Sequence, residues 1–368
     1  MNKRKSILII SGFNTRAIIA FCRWAKLYNI DYNIIASDPE DKILLTNFSK
    51  KVIFTRKCKT LTLDDLKTWI EIIRYKNKNK RILILPSTEY LNRFLLTNKI
   101  SIENNNCIVP LVGGNLYKKI SNKYSFAKIC ESYNLPTPCE FPELPKTIPF
   151  VAKPRVYMSD KGKQLIPHLI TSKKERDKFT QEENPDEYFF QHLIQGQSIY
   201  LLAYIGKNGT NVLSSQENLM QQARGGSIIL AKASSFHQSS IATQYISMLN
   251  DLNFTGPIMI ELRLDKISGQ CFMIEANPRL WGPMQFTVDN NVDIFGSMLR
   301  EFNYNIPINS NKITEPSHYF WSGGISPDSE PIVFHNYSSE MFIKDFSILR
   351  KQDIYLKKDT IELYINEL

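Results

Sequence analysis

Two glutamates, Glu261 and Glu275, lie in two apolar runs that are separated by a short polar turn. The runs at residues 258–264 and 271–277 flank Ser268-Gly269, and this pattern predicts a β-hairpin. Folding the hairpin about residue 268 brings the two glutamates opposite each other, because they lie equally far from that centre. Directly opposed residues have Cβ atoms about 4.5–5.5 Å apart, where two carboxylates repel unless a cation lies between them.

A third oxygen donor, Asn277, follows Glu275 at the spacing that places both on one face of a strand. Oxygen donors of this kind suit Mg²⁺, which proteins usually hold with one or two carboxylates together with substrate phosphates. Arg279 lies two residues further on, placed to meet an anion such as a transferring phosphoryl group. The alternative is a solvated pair of glutamates, salt-bridged to a neighbour such as Arg263. The apolar surroundings favour a site for a metal and a nucleotide.

The elements that precede this hairpin alternate between strands and helices over roughly the first 110 residues, which predicts a parallel α/β sheet. Strands are predicted at 7–11, 31–37, 51–55 and 81–85, and helices at 16–29 and 63–75. Gly12 and Asn14 follow the first strand. There a bound anion could meet a helix N-terminus, or the chain could simply turn tightly.

A second unit is predicted to begin near Leu116. Its first helix, at 121–133, is capped by Ser121 and ends before prolines that forbid its continuation. Further predicted elements are strands at 150–154, 187–193 and 198–204, loops at 155–163 and 217–229, and a helix at 239–252. A final helix is predicted at 339–351.

The composition is that of an ordinary globular protein, with 43% hydrophobic and 22% charged residues. The 368 residues predict two or three compact units. No apolar run reaches the roughly 18–20 residues of a membrane span. The net charge of +10 comes from dispersed lysines without interleaved aromatic residues, which argues against nucleic acid and for attraction of an anionic substrate. The six cysteines show no paired spacing, which predicts a reduced, cytoplasmic protein without structural zinc or disulfides.

The hairpin and the segments before it resemble the ATP-grasp superfamily, which comprises carboxylate–amine ligases and related carboxylating enzymes such as those similar to carbamoyl-phosphate synthase. Glu261 and the run Glu275-Ala276-Asn277-Pro278-Arg279 are similar to the glutamate and the E-x-N-P-R pattern that bind magnesium in this family. Lys123 and Lys153 lie in segments that resemble those of the family's two phosphate-binding lysines. The segment Tyr188–Gly196 is similar to the hinge strand that reads adenine. The resemblance covers roughly residues 5–300.

This resemblance implies an α/β protein that is α+β in its ATP-binding part. A Rossmann-like domain that precedes the ATP-grasp fold would occupy residues 1–115. The two ATP-grasp subdomains would occupy 116–195 and 196–310, and the second would carry the magnesium hairpin. Residues 311–368 would form a C-terminal extension that covers the acceptor site, contributes to a homodimer contact, or simply packs on the rest.

The resemblance also implies roles for individual residues. The metal ligands would be Glu261, Glu275 and Asn277. Arg279 and Arg224 would be catalytic, and Arg224 with Gly225-Gly226 would meet a substrate carboxylate or acyl phosphate. The residues that bind ATP would be Lys123, Lys153, Ser159, Lys161, Gly162, Gln191, His192, Leu193, Gln197 and Met273.

Two features of the sequence depart from the family's pattern, and a separate expectation concerns two methionines of the hairpin. The loop after Lys153 carries a single glycine, where the family has a small, glycine-rich loop over the phosphates. Gln191 or Gln197 stands where the family has an acidic residue near the hinge. Met259 and Met273 are expected on the face that carries the glutamates, beneath the adenine ring.

The implied reaction uses ATP and Mg²⁺, for which Mn²⁺ could substitute. A carboxylate attacks the γ-phosphorus, giving an acyl phosphate and ADP, and an amine then displaces phosphate to form an amide. The expected partners are small-molecule carboxylate and amine substrates, without nucleic acid or membrane. Two alternatives stay open: an ATP-dependent carboxylase that uses bicarbonate, and a non-catalytic nucleotide-binding protein that retains the fold.

Overall fold

The computed structural model describes residues 5–57, 60–76, 81–308, 318–325 and 331–368. Its N-terminal strands are β1 (Ser6–Ile10), β2 (Tyr32–Ala36), β3 (Val52–Thr55), β4 (Ile82–Ile84) and β5 (Cys107–Ile108). The helices between them are α1 (Thr15–Leu27), α2 (Leu63–Lys76), α3 (Glu89–Thr97) and α4 (Lys99–Asn104). All pairs are parallel, in the order β3-β2-β1-β4-β5.

The parallel α/β sheet predicted from the sequence is confirmed. Every residue of β1 is buried, as expected for a strand that is covered by helices on both faces. The four predicted strands lie within one or two residues of the observed ones. The short strand β5 was not predicted, because two residues are too few to show a periodic pattern.

A second, four-stranded sheet follows, built from elements between residues 114 and 192. They are α5 (Gly114–Ser121), α6 (Lys123–Ser132), β6 (Glu140–Phe141), β7 (Phe150–Pro154), β8 (His168–Ile170), α7 (Lys173–Glu182) and β9 (Tyr188–His192). The strands are antiparallel, in the order β6-β9-β7-β8. The predicted helix cap at Ser121 is wrong, since Ser121 ends α5. The cap is Asn122, whose side chain accepts from the Ser125 N–H at 2.9 Å.

The rest of the described chain forms a seven-stranded sheet with helices. Its elements are β10 (Gly196–Ile205), β11 (Val212–Gln221), β12 (Ile228–Ala233), α8 (Ser240–Asp251), β13 (Gly256–Asp265), β14 (Cys271–Asn277), α9 (Met284–Asp289), α10 (Ile294–Glu301), β15 (Tyr319–Phe320), β16 (Val333–Phe334), α11 (Ser339–Leu349) and α12 (Ile361–Glu367). The strand order is β14-β13-β10-β11-β12-β15, and β16 pairs with β11. The predicted helices at 239–252 and 339–351 are therefore present.

The loop predicted at 217–229 is present only at residues 222–227, because its two ends belong to β11 and β12, which form a hairpin. Polar residues give β11 the composition of a loop, yet most of its side chains are buried. Asn218 accepts from the Gln216 side chain at 2.7 Å and donates to Ser198 at 2.9 Å. The turn between the two strands, at residues 222–227, contains Arg224, Gly225 and Gly226, as predicted.

The hairpin of β13 and β14 has the predicted register, with Glu261 opposite Glu275. A β-bulge follows, because Leu262 pairs with Met273 and leaves Ile274 as an extra residue. The bulge reverses the alternation of the remaining residues of β14. It decides which of their side chains face the glutamates.

The C-terminal extension packs on the N-terminal α/β unit as well as on the seven-stranded sheet. Arg23 of α1 is buried and forms an ion pair with Asp359 at 2.7 Å. Ile354, Tyr355 and Leu363 share one apolar core with β1 and α1. Within the described ranges no helix has the length and apolar character needed to cross a membrane. Cys22, Cys107, Cys130, Cys139 and Cys271 are free thiols, and Cys58 lies outside the described residues.

Candidate active site

A cavity of about 580 Å³ lies between the four-stranded and seven-stranded sheets; we call it the first cavity. Eight of the residues singled out from the sequence line it: Lys123, Lys153, Gln191, His192, Leu193, Arg224, Glu261 and Glu275. They come from α6, β7, β9 and the residue after it, the β11–β12 turn and the β13–β14 hairpin. Residues that are distant in sequence thus meet in one cleft.

Glu275 is held by two neighbours at the floor of the first cavity. Its Oε2 accepts from Lys123 Nζ at 2.5 Å, and its Oε1 accepts from Asn277 Nδ2 at 2.7 Å. Burial by itself would raise the pKa of this carboxyl, but Lys123 and Asn277 outweigh it and lower the pKa to about 2. Glu275 is therefore an anion at any ordinary pH. Lys123 reaches it from the first turn of α6, whose start Asn122 fixes.

Glu261 faces Glu275 but has a different environment. It is 7% exposed, and burial together with the charge of Glu275 raises its pKa, although Arg263 opposes that shift. Its Oε1 accepts from Arg263 Nη2 at 3.1 Å. The ion pair with Arg263 that the surface alternative invoked therefore exists. It lies inside a cavity and not on a solvated face.

Lys153 reaches across the cavity from β7. Its Nζ donates to the Ile274 carbonyl at 2.8 Å, and the residue is 6% exposed. Burial and the nearby charge of Lys123 lower its pKa from 10.5 to about 8. Such a lysine gains a well-matched partner when an anion such as a phosphate enters.

The hinge end of the first cavity offers an unpaired acceptor. Gln191 is 2% exposed, and its Nε2 donates to the Pro138 carbonyl at 3.2 Å. Its Oε1 has no hydrogen-bond partner among the described residues. A buried acceptor without a partner costs about 1–3 kcal/mol, which a ligand amino group would offset. His192 beside it stacks on Phe141, with ring centroids 4.2 Å apart.

Met273 does not lie where the alternation predicted it. It is 1% exposed and packs with Ile260 and Leu262 in the core on the opposite face of the sheet from the glutamates. The bulge at Ile274 is the physical reason, because one extra residue reverses the faces. Ile274 takes the place of Met273 and lines the cavity with Val151 and Leu169.

Four further ATP-binding residues named from the sequence do not line the first cavity. Ser159, Lys161 and Gly162 belong to an outward turn that is closed by the Ser159 N–H donating to the Lys163 carbonyl at 2.8 Å. Gln197 lies on β10 opposite Leu264, and its neighbours Gln195 and Gly196 line the cavity. Arg224 does line it, and its backbone is left-handed, with φ 56°.

Arg279 lines a second cavity, of about 500 Å³, which we call the second cavity. Its Nη2 donates to Asn277 Oδ1 at 3.0 Å, so Asn277 connects it to Glu275. The other lining residues are Phe13, Asn14, Thr60, Thr88, Glu89, Tyr90, Tyr157 and Gln164. They come from the N-terminal unit and from the loop after β7. Asn277 lines neither cavity, but its hydrogen bonds connect Arg279 of the second cavity to Glu275 of the first.

The lining of the first cavity also includes residues that the sequence did not single out. Gln221 ends β11, Lys266 follows β13, and residues 333–335 come from the C-terminal extension. The sequence carried no usable signal for residues 333–335, since their position depends on the pairing of β16 with β11. Gln221 was missed because it falls within the loop predicted at 217–229.

The donor atoms of the hairpin fit a hard divalent cation that also binds phosphate. Glu261, Glu275 and Asn277 offer two carboxylates and one amide oxygen. The described residues contain no group of three or more His, Cys, Asp or Glu side chains that could hold a metal. A magnesium ion here would therefore need phosphate oxygens as further ligands.

Solved structures show the same fold. Biotin carboxylase from Campylobacter jejuni, in a complex with β-γ-ATP, matches with a TM-score of 0.58 and 14% identity over 82% of this chain and 72% of its own. N5-carboxyaminoimidazole ribonucleotide synthetase from Thermus thermophilus matches with a TM-score of 0.57 and 13% identity over 83% of this chain and 80% of its own. Pyruvate carboxylase from Rhizobium etli matches with a TM-score of 0.58 and 15% identity over 81% of this chain, which spans only 28% of that enzyme.

These similarities show that the chain has the fold of biotin carboxylase and of N5-carboxyaminoimidazole ribonucleotide synthetase. The α/β fold class expected from the sequence is thereby confirmed. No family model and no curated protein sequence matches the chain. The chemistry of the chain therefore has to be argued from its own residues.

Proposed function

We propose that this protein is an ATP-dependent ligase that activates a carboxylate as an acyl phosphate and joins it to an amine. The observation that carries the proposal is the arrangement at the floor of the first cavity. There Glu261 and Glu275 face each other, with Lys123 and Lys153 beside them. Opposed carboxylates with flanking lysines suit a metal that is bound to a polyphosphate.

ATP and Mg²⁺ would be held by residues that line the first cavity, together with Asn277, which is hydrogen-bonded to Glu275. The unpaired Oε1 of Gln191 suits the adenine amino group, and Lys123 and Lys153 suit the phosphates. Glu261, Glu275 and Asn277 would hold Mg²⁺, for which Mn²⁺ could substitute. When bound, the metal nucleotide supplies the phosphoryl group and neutralises its charge. The cleft contributes positioning and the exclusion of water.

The second cavity would hold the molecule that receives the phosphoryl group or the acyl group. Arg279 lies at its wall, connected through Asn277 to Glu275, and can orient a carboxylate or acyl phosphate. Aromatic rings face the same space, and those of Phe13 and Tyr90 have centroids 5.7 Å apart. The Glu89 carboxylate there is already paired with Arg93 at 2.6 Å. A substrate with a flat or apolar body fits this lining.

In the proposed reaction a substrate carboxylate oxygen forms a bond to the γ-phosphorus as the bond to ADP breaks. The amine nitrogen then attacks the acyl carbon, phosphate leaves, and the amine loses a proton. No side chain of the protein becomes covalently modified. Lys153 and Lys123 would bear on the phosphoryl oxygens, and Arg224 on the acyl end.

A second candidate is an ATP-dependent carboxylase that uses bicarbonate. The observation that favours it is the set of similar structures, which includes biotin carboxylases and one such domain solved with MgADP and bicarbonate. In that case the carboxylate that attacks the γ-phosphorus would be bicarbonate, and the same residues would act.

The test is an assay of ADP release with MgATP and a panel of amino acids, peptides and amino sugars, with and without bicarbonate. Mass detection identifies the product. We expect substrate-dependent ADP release from the wild type and about 10³-fold less from Glu275→Gln. If no member of the panel raises ADP release above that variant, the protein is not such a ligase, and a non-catalytic nucleotide-binding protein is the better description.

Two earlier expectations stay predictions. The cysteine pattern predicts a reduced, cytoplasmic compartment. A homodimer is proposed only by analogy with a similar biotin carboxylase domain that was solved as a dimer. Size-exclusion chromatography with light scattering would decide the oligomeric state.

A further inference from the structure

The C-terminal extension reaches the wall of the first cavity. Strand β16 pairs with the end of β11, with Val333 opposite Gln221 and Phe334 opposite Met220. The next residue, His335, donates its backbone N–H to the Leu219 carbonyl at 2.9 Å. This pairing fixes the backbone and leaves His335 9% exposed at the cavity surface.

The ring of His335 lies between a glutamine and an arginine. Its Nε2 is 3.2 Å from Gln221 Oε1, and Arg263 Nη1 lies 3.2 Å from its Nδ1 and 3.3 Å from its Nε2. The guanidinium is positively charged and can only donate, so its contact with the ring favours a neutral imidazole. Burial and the nearby charges of Arg263 and Lys266 lower its pKa to about 4, which agrees with a neutral ring.

The guanidinium of Arg263 contacts Glu261 as well as His335. Its Nη2 donates to Glu261 Oε1 at 3.1 Å and lies 3.2 Å from Gln221 Oε1. A guanidinium is a rigid plane, so fixing Nη1 also fixes the direction of Nη2. The contacts run without a gap from His335 to Arg263 and on to Glu261.

We propose that His335 is a positioning residue that holds Arg263, and through it sets the orientation in which Glu261 meets the metal of a bound metal nucleotide. The C-terminal extension then contributes a positioning residue to the nucleotide site. The inference rests on the proposed binding of ATP and Mg²⁺ in the first cavity. It does not depend on which substrates are joined.

The test is calorimetric binding of ADP with and without Mg²⁺ to the wild type, His335→Ala and His335→Gln. Outer partners of metal ligands typically contribute about 10–100-fold to metal affinity. We expect His335→Ala to reduce the gain in ADP affinity from Mg²⁺ about tenfold, with metal-free ADP binding unchanged. His335→Gln should recover most of the gain, because an amide can also donate to Gln221 and accept from Arg263.

His318→Ala is the matched control, since this histidine belongs to the same extension but does not line the first cavity. It should bind ADP as the wild type does. If His335→Ala lost the same ADP affinity with and without Mg²⁺, His335 would only line the cavity without positioning a metal ligand. That result would overturn the inference. So would unchanged binding in folded His335→Ala, as judged by thermal unfolding. A wild type without any Mg²⁺-dependent ADP binding would overturn the proposed function itself, and the inference with it.

Discussion

The two cavities are connected through Asn277, but they differ in the number of charged side chains that line them. Among the residues that line the first are seven charged ones: Lys123, Lys153, Arg224, Glu261, Arg263, Lys266 and Glu275. The second is lined by aromatic rings and neutral polar groups, with Arg279 and the paired Glu89 as its charges. The first suits a metal polyphosphate, and the second suits an organic substrate. Substitutions in the first cavity should therefore affect the metal nucleotide, and substitutions in the second cavity should affect the organic substrate.

The largest effect is expected from Glu275→Gln, which removes the anion at the centre of the first cavity. ADP release should fall by about 10³-fold, because several kcal/mol of charge stabilisation are lost. A coupled ADP assay with the active substrate pair measures it. Glu217→Gln is the control, since Glu217 is a similarly buried glutamate, paired with Lys232 at 3.0 Å, that does not line either cavity. Wild-type ADP release by Glu275→Gln would disprove the metal assignment.

A smaller effect is expected from Arg279→Lys, which tests the connection between the cavities. The turnover number should fall about 10²-fold, as when one preorganised donor is removed from a transition state. ADP affinity by calorimetry should be unchanged, because Arg279 lines only the second cavity. Equal losses in ADP affinity and turnover would show that the two cavities do not act separately.

Lys153→Ala should mainly weaken nucleotide binding, by about 30-fold, because a buried charged hydrogen-bond donor contributes about 1.5–3 kcal/mol. Calorimetry with ADP measures the change. Lys232→Ala, which removes a partly exposed lysine of the same protein, should leave the affinity as it is. Unchanged ADP affinity in Lys153→Ala would remove Lys153 from the phosphate site.

The pH dependence of ADP binding gives a further test of Lys153. Its pKa of about 8 means that the free protein loses this charge as the pH rises through 8. A bound phosphate favours the protonated form, so affinity should be highest below pH 8 and should fall by up to about tenfold per pH unit above it. The slope should disappear in Lys153→Ala and in Lys153→Arg, since arginine stays charged. A wild-type affinity that is constant from pH 7.5 to 9.5 would contradict this assignment.

The smallest effect is expected from Phe13→Ala in the second cavity. The KM of the organic substrate should rise about three- to tenfold, in line with the contribution of one aromatic contact. The KM of ATP should not change. Phe346→Ala is the control, because Phe346 has nearly the same exposure, 41% against 40%, and lies on α11. A change in the KM of ATP without one in the other KM would reverse the roles given to the cavities.

Prediction from the sequence succeeded where the signal was local. The five-residue strand β7 was placed at its observed bounds, because Phe150–Pro154 is an apolar run between breaks. The opposition of Glu261 and Glu275 followed from the turn alone. Prediction from the sequence failed for β11. Its Gln216 and Asn218 are buried because they pair with each other, but as polar residues they give the strand the composition of a loop.

The sequence by itself determined that two glutamates oppose each other in the cleft. Their spacing about a turn sets their register independently of the rest of the chain. Tertiary structure decided which neighbours those glutamates have. The bulge at Ile274 turned Met273 into the core, and strand pairing brought His335 to Gln221 across 114 residues. Such choices depend on packing between segments that are far apart in the chain, and packing of that kind leaves no periodic pattern in the sequence.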